Sequence, residues 1–182
     1  MKVHTPYNFE FWRLPENISR SEVEKAFNDG IKNLNGIFLA GPCIREKHYG
    51  LFSNWRDDAI RIFKEHGFEG DIFSPEPFCK NGYENQIMWE EFHLTQAKVV
   101  MFWIPRQLDI NPAFTSNVEF GEWMKSGKVV LGYPSRAAKM GYLKFKADRY
   151  KIPVTDMLEP TVIEAIHKFN QLTKKKHADI SS

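Results

Sequence analysis

The chain has 182 residues, 42% hydrophobic, 26% charged and 14% aromatic, a length that suits one domain built on one core rather than two small ones. Its 25 Lys and Arg against 23 Asp and Glu leave a net charge of +2, too small a basic excess for a dedicated nucleic-acid or membrane surface, so the expected partner is a small molecule. Cys43 and Cys79 lack CxxC spacing, no signal-like segment precedes them, and no apolar run nears the ~18 residues needed to cross a bilayer, which predicts a cytoplasmic protein without disulfides or a zinc knuckle.

In chain order, residues 1–35 carry an aromatic cluster (Tyr7, Phe9, Phe11, Trp12) and a helix predicted over Ser19–Asn28, and they read as an N-terminal extension. A regular α/β domain over residues 36–173 follows. Gly36-Ile-Phe-Leu-Ala-Gly41 is a short apolar run between glycines with Pro42 behind it, the pattern of a buried strand ending in a loop. Asn54 is placed to cap a helix over Trp55–His66, where Ala59, Ile60 and Phe63 form the apolar stripe and Gly67 the stop. The alternation then repeats, with strands at Asp71–Ser74, Val99–Ile104 and Val129–Gly132 and helices at Tyr83–Ala97 and Ser116–Ser126. Helices over Ala137–Tyr150 and Pro160–Thr173 are expected with an edge strand at Ile152–Thr155 between them, and the basic tail 174–182 is expected to fray. Strands and helices alternating at this spacing imply a parallel sheet covered on both faces, a three-layer α/β sandwich whose ligand sits beyond the carboxyl ends of the strands.

Two common nucleotide motifs are missing. No GxGxxG follows the first strand, and Gly121 to Lys128 has the wrong glycine spacing for a P-loop, with Val129 where Ser or Thr is needed. Chemistry must then come from carboxylates. At 100° per residue Tyr83, Ile87, Glu90, Leu94 and Ala97 share a stripe, which puts Glu90 on the face expected to pack against the sheet. A carboxyl buried there stays protonated near neutral pH and can donate to a heterocyclic base, or else its head escapes to the rim and pairs with Lys or Arg. Glu119 has two readings as well. Ser116-x-x-Glu119 has the spacing of a capping box, and a carboxylate in the first turn of a helix would also stay ionised facing the strand tips, a suitable nucleophile toward a sugar C1′, with Gly121 keeping the approach open.

The remaining polar candidates are divided between ligand contact and ordinary loop or core roles. Arg45 after the first strand either holds a phosphate or faces solvent, and Asp109, Thr115, Ser116 and Asn117 either bind sugar hydroxyls or reflect loop composition. Trp89 and Trp103 are core residues or rings that stack on a base, and Gly41 lets a ligand approach the first strand's end. Glu90-Glu-Phe-His93 has ExxH spacing, but without a second copy no metal site is expected, nor any other cofactor.

With those residues in place, the chain resembles the nucleoside 2-deoxyribosyltransferases and their relatives, the 2′-deoxynucleoside 5′-phosphate N-hydrolases. The similarity runs from Gly36 to Leu131. It rests on Ile37-Phe-Leu-Ala-Gly-Pro-Cys-Ile-Arg45, on Gln86-Ile-Met-Trp-Glu90 ahead of Lys98-Val-Val-Met-Phe-Trp-Ile-Pro105, and on Glu119-Phe-Gly121. The resemblance implies a flavodoxin-like sheet of about five parallel strands and homo-oligomers, dimers or larger, in which a neighbour helps to close each pocket. It also implies Glu119 as the nucleophile that takes the deoxyribosyl group and Glu90 as the acid that assists the departing base. Three positions depart from the family pattern: Phe38 replaces a first-strand tyrosine, Glu90 replaces an aspartate, and Ala113 stands where an aspartate usually precedes the nucleophile, leaving Asp109 as the nearest substitute. Three functions stay in view: transfer of a 2-deoxyribosyl group between bases, release of free base from a nucleoside 5′-monophosphate, and nucleotide binding without turnover.

Overall fold

A computed structural model describes residues 1–8, 35–43, 54–78, 80 and 82–180. Arg45, Cys79 and the helix expected over Ser19–Asn28 lie outside the described residues. The described elements are β1 (Val3–His4), a short 3₁₀ turn (Pro6–Asn8), β2 (Gly36–Ala40), α1 (Trp55–Glu65), β3 (Asp71–Phe73), α2 (Tyr83–Gln96), β4 (Val99–Trp103), α3 (Phe114–Trp123), β5 (Val129–Gly132), α4 (Gly141–Arg149), β6 (Val154–Thr155) and α5 (Leu158–Ile180).

All strand pairs are parallel, in one six-stranded sheet of order β1-β3-β2-β4-β5-β6. Without β1, this is the 2-1-3-4-5 order of flavodoxin-like sheets, so the expected fold class stands. The expected count of about five strands falls one short. Val3 and His4 pair with Ile72 and Phe73, so the start of the supposed extension belongs to the sheet.

The central strands are buried on both faces, which is why they read as unbroken apolar runs. Period-two alternation sorts their side chains. Ile37, Leu39, Val99, Met101 and Val130 pack with α1 and α5, whereas Phe38, Ala40, Val100, Phe102 and Leu131 pack with α2, α3 and α4. Phe38, Phe73 and Phe102 are almost wholly buried, and each such ring is worth ~2–3 kcal/mol of transfer free energy.

Helix ends follow local chemistry. Asn54 Oδ1 accepts from the Arg56 amide at 3.0 Å, and Gly67 with φ +66° ends α1, as expected. Lys128 Nζ donates to the carbonyls of Leu94, Thr95 and Ala97 at 2.6, 3.1 and 3.1 Å, capping the end of α2 with a cation where the helix dipole favours one. Several boundaries move. α3 starts at Phe114, two residues early, because Ala113 takes a left-handed conformation (φ 56°) that turns the chain into the helix. α4 is confined to Gly141–Arg149, with turns before it, and α5 stays helical to Ile180, past the expected start of fraying.

Candidate active site

The chain leaves β2 toward α1 on one face of the sheet and β4 toward α3 on the other, and the two strands are neighbours. Such a divergence opens a crevice at the carboxyl ends of the strands. A cavity of about 370 Å³ lies there. Its floor is the end of β2 (Phe38, Ala40, Gly41, Pro42, Cys43), one wall is the Tyr83, Gln86, Glu90 face of α2, and the opposite wall is the Thr115, Ser116, Glu119 face of α3. Both walls follow from the helical period, which brings residues three, four and seven apart to one side.

The structure thus brings together five of the residues picked out by sequence: Glu90, Glu119, Gly41, Thr115 and Ser116. Three others lie apart. Trp89 is fully buried against Phe38 and His93, so it is a core residue and offers no face to a base. Asp109 is exposed in the turn before α3, and Asn117 points to the far side of that helix, where its amide oxygen accepts from Arg106 Nη2.

The α2 stripe is corrected. Leu94 and Ala97 are buried as expected, but Tyr83 and Ile87 are exposed, and the helix buries Gln86, Trp89 and His93 in their place. Two polar residues on that face find partners. His93 Nδ1 donates to the Trp89 carbonyl at 2.8 Å, and burial lowers its pKa to about 4, so it is a neutral core histidine. Gln86 Nε2 donates to the Pro75 carbonyl at 2.9 Å and to Glu90 Oε1 at 2.6 Å. Glu90 therefore sits at the edge of the packed face with its head on the cavity. Burial pushes its carboxyl above the usual range, opposed by the Gln86 hydrogen bond and the charge of Arg56.

Glu119 is also corrected. Ser116 is not an N-cap but an interior helical residue, so no capping box forms, and Glu119 lies in the second turn, past the favourable reach of the helix terminus. Burial, helped by the neighbouring Glu90, pushes its pKa up to about 7, against the pull of Arg56. Near neutral pH the carboxyl divides between acid and carboxylate instead of staying ionised. Gly121, the third residue of Glu-Phe-Gly, is exposed and has open space where a Cβ would stand, so it does not shape this cavity. Gly41 does answer a packing demand. Its φ is +145°, and a Cβ would come within 2.2 Å of the Trp103 carbonyl oxygen.

Sequence reading missed Arg56. Its guanidinium is 1% exposed, lies on the cavity, donates to the carbonyls of Leu39 (3.2 Å), Gly41 (2.7 Å) and Pro42 (3.4 Å), and pairs with Glu76 at 3.1 Å. It ties the end of β2 to the β3–α2 loop and sets a fixed positive charge beside both acids. One signal was available: an arginine in the first turn of a helix opposes the helix dipole, which asks for another reason to be there. Cys43 faces the cavity too, but burial pushes its thiol up to about 12, so it stays neutral and is no nucleophile at ordinary pH.

Among the described residues no cluster of three or more His, Cys, Asp and Glu converges as a metal site, and no helix is long and apolar enough to cross a membrane. In comparison with known proteins, a family model described as nucleoside 2-deoxyribosyltransferase like matches residues 35–137, more than half of the chain. No curated protein matches it.

Proposed function

Because the chain belongs to the nucleoside 2-deoxyribosyltransferase-like family, we propose that it is an enzyme that moves the sugar of a 2′-deoxynucleoside from one base to another by a retaining double displacement. The observation that carries this reading is the pairing of two acids, Glu90 and Glu119, on opposite walls of one cavity, each pushed upward by burial.

In the first step the ionised Glu119 carboxylate attacks C1′ while protonated Glu90 gives its proton to the departing base. The C1′–N bond breaks, and the sugar is held as an ester of Glu119. An acceptor base then attacks C1′, Glu90 takes up its proton, and the carboxylate of Glu119 is released. Two acids in one cavity, each opposing the other's charge, favour a pair that holds one proton between them, and the reaction uses the form with that proton on Glu90. Phe38 on the floor offers no hydroxyl to Glu119, so the tuning of this nucleophile rests on burial, Glu90 and Arg56. The substrate is small, the protein cytoplasmic, and a second copy of the chain completes the open side of the cavity.

A second reading, release of base from a nucleoside 5′-monophosphate with water as acceptor, draws on one feature. Thr115 and Ser116, in the first turn of α3, line the cavity, and that turn has no acidic residue and no side-chain cap, so its backbone N–H groups are open to a phosphate. Chromatography of deoxynucleosides and their monophosphates incubated with wild type and Glu119→Ala, with and without free adenine or cytosine, separates the readings. A swapped nucleoside formed by wild type alone supports transfer. Base and sugar phosphate from a monophosphate without acceptor support hydrolysis, and binding with no product from any substrate sinks both.

A further inference from the structure

A second cavity, of about 420 Å³, lies on the far side of α3 from the two acids, separated from the first by Pro112 and Phe114, which line both. No acidic side chain is among the described residues that line it, while Arg106, Lys139 and Lys146 all do. Arg106 is the informative member. It is 5% exposed, its Nη1 donates to the Lys139 carbonyl at 3.3 Å and its Nη2 to Asn117, and its buried Nε has no hydrogen-bond partner. Among the described residues no carboxylate pairs with it, and burial alone acts on its titration, drawing it down. A guanidinium out of water with neutral partners only is a costly arrangement unless an anion joins it.

Apart from Asn117, the rest of the cavity is mostly apolar, and its mouth carries two aromatic rings left largely in solvent, Phe114 at 71% and Tyr142 at 69% exposure. Lys146 holds its ammonium over the Tyr142 ring, 5.4 Å from the centroid. A cationic end and an aromatic mouth describe an amphiphilic ligand. We propose that this cavity binds a small molecule carrying one phosphate or carboxylate on a flat apolar body, the oxyanion against Arg106 with Lys139 and Lys146 beside it and the body between Phe114 and Tyr142. This site is separate from the catalytic reading and stands whether or not that reading holds. Occupied, it would sit directly behind the helix that presents Glu119.

Phenyl phosphate is a suitable probe, with benzoate, phenol and inorganic phosphate as companions, titrated into the full chain by two-dimensional NMR. Phenyl phosphate and benzoate should shift the signals of Tyr142, Lys146 and the Arg106 Nε–H, and the tighter of the two names the oxyanion. Phenol and inorganic phosphate should each bind at least tenfold more weakly, since each lacks half of the recognition. Lys146→Glu, a change at the cavity rim away from the packed core, should weaken phenyl phosphate about tenfold or more and leave base release unchanged. Glu119→Gln should leave phenyl phosphate binding as it is. The proposal is overturned if phenyl phosphate does not bind at millimolar concentration, if phenol or inorganic phosphate binds as well, if Lys146→Glu has no effect, or if Glu119→Gln abolishes binding and so places the probe in the catalytic cavity.

Discussion

Gln86 holds Glu90 by a 2.6 Å hydrogen bond in which the amide is the donor, and the same amide nitrogen is fixed to the Pro75 carbonyl at 2.9 Å. The bond occupies Oε1 as an acceptor and leaves the proton of the neutral acid to Oε2. General acid catalysis of this kind contributes about 10²–10⁴-fold to a rate. Glu90→Gln should therefore lower kcat by about that factor on substrates with ordinary leaving bases, with KM changed little, because the proton is given only in the transition state. Substrates whose bases leave without protonation should lose much less. Steady-state kinetics on such a pair of substrates checks the assignment, and an equal loss on both would remove Glu90 from the acid role.

The rate should depend on pH in a way set by the same two groups. Glu119 acts only as the carboxylate, and burial together with the charge of Glu90 pushes its pKa up to about 7, so kcat/KM should climb from acid pH as the pair of acids gives up its first proton. Glu90 acts only while protonated, which makes the profile fall again at higher pH. Glu90 raises Glu119 only through its own charge, and Glu90→Gln fixes that position neutral, so the residual activity of this variant should keep its rising limb and lose the fall at higher pH. A fall at higher pH that persists in this variant would mean that a group other than Glu90 supplies the proton.

Much of this arrangement could be read from the sequence, and most of the exceptions share a cause, partners that only the folded chain brings together. The strands at Gly36–Ala40, Val99–Trp103 and Val129–Gly132 were legible because strands buried on both faces leave unbroken apolar runs between turn residues. The α2 face was misread by a fraction of a turn because it buries Gln86 and His93, whose hydrogen bonds to Pro75 and Trp89 no hydropathy pattern reveals. Apart from its place in the first turn of α1, Arg56 left no trace for the same reason, its partners being carbonyls brought in by β2 from elsewhere in the chain. At α3 the local Ser116-x-x-Glu119 signal lost to the left-handed turn at Ala113, a conformation that a non-glycine residue adopts only when its surroundings impose it. Two residues of strand at Val3–His4 are too few to show a period.

Arg56 should matter to stability as much as to chemistry. Arg56→Met leaves the Glu76 carboxylate in a largely buried place without its cation and strips the Leu39 and Gly41 carbonyls of their donors. Breaking a buried pair on one side costs about 3–5 kcal/mol, against about 0–1 kcal/mol for an exposed one. Urea denaturation should show a loss of that order for Arg56→Met and a smaller one for Arg56→Met combined with Glu76→Leu, where no charge is stranded. A double variant no better than the single would show that the carbonyl contacts, not the ion pair, are what Arg56 supplies.

Two glycines in the matched region should respond in opposite ways. At Gly41 an alanine meets the Trp103 carbonyl oxygen at 2.2 Å with a backbone φ of +145°, so Gly41→Ala should destabilise by about 1–3 kcal/mol and distort the cavity floor. At Gly121 a Cβ has nothing within 4 Å and the residue lies inside α3, so alanine should gain helix propensity worth up to about 1 kcal/mol. Thermal melts of both variants test the contrast. A destabilising Gly121→Ala would point to a neighbour, such as a second copy of the chain, packed against that face.

The buried state of Glu119 also predicts how stability varies with pH. Its carboxyl holds a proton more tightly in the folded chain, where the pKa is about 7, than in the unfolded one, where it is 4.5. Between those values the folded state binds more protons, so the term it contributes is fully present below the unfolded pKa and is lost as pH rises through the folded one. At 1.36 kcal/mol per pH unit the difference is on the order of 3 kcal/mol, complete by about pH 8. Glu119→Gln keeps the shape and removes the titration, so it should match wild type near pH 4 and exceed it by up to that amount near pH 8. A nucleophile gaining stability when its charge is deleted is the pattern expected of a carboxylate buried for reactivity rather than for folding. Equal pH slopes for wild type and variant would show that Glu119 is hydrated in the free protein, and the nucleophile would then have to be desolvated by the substrate itself.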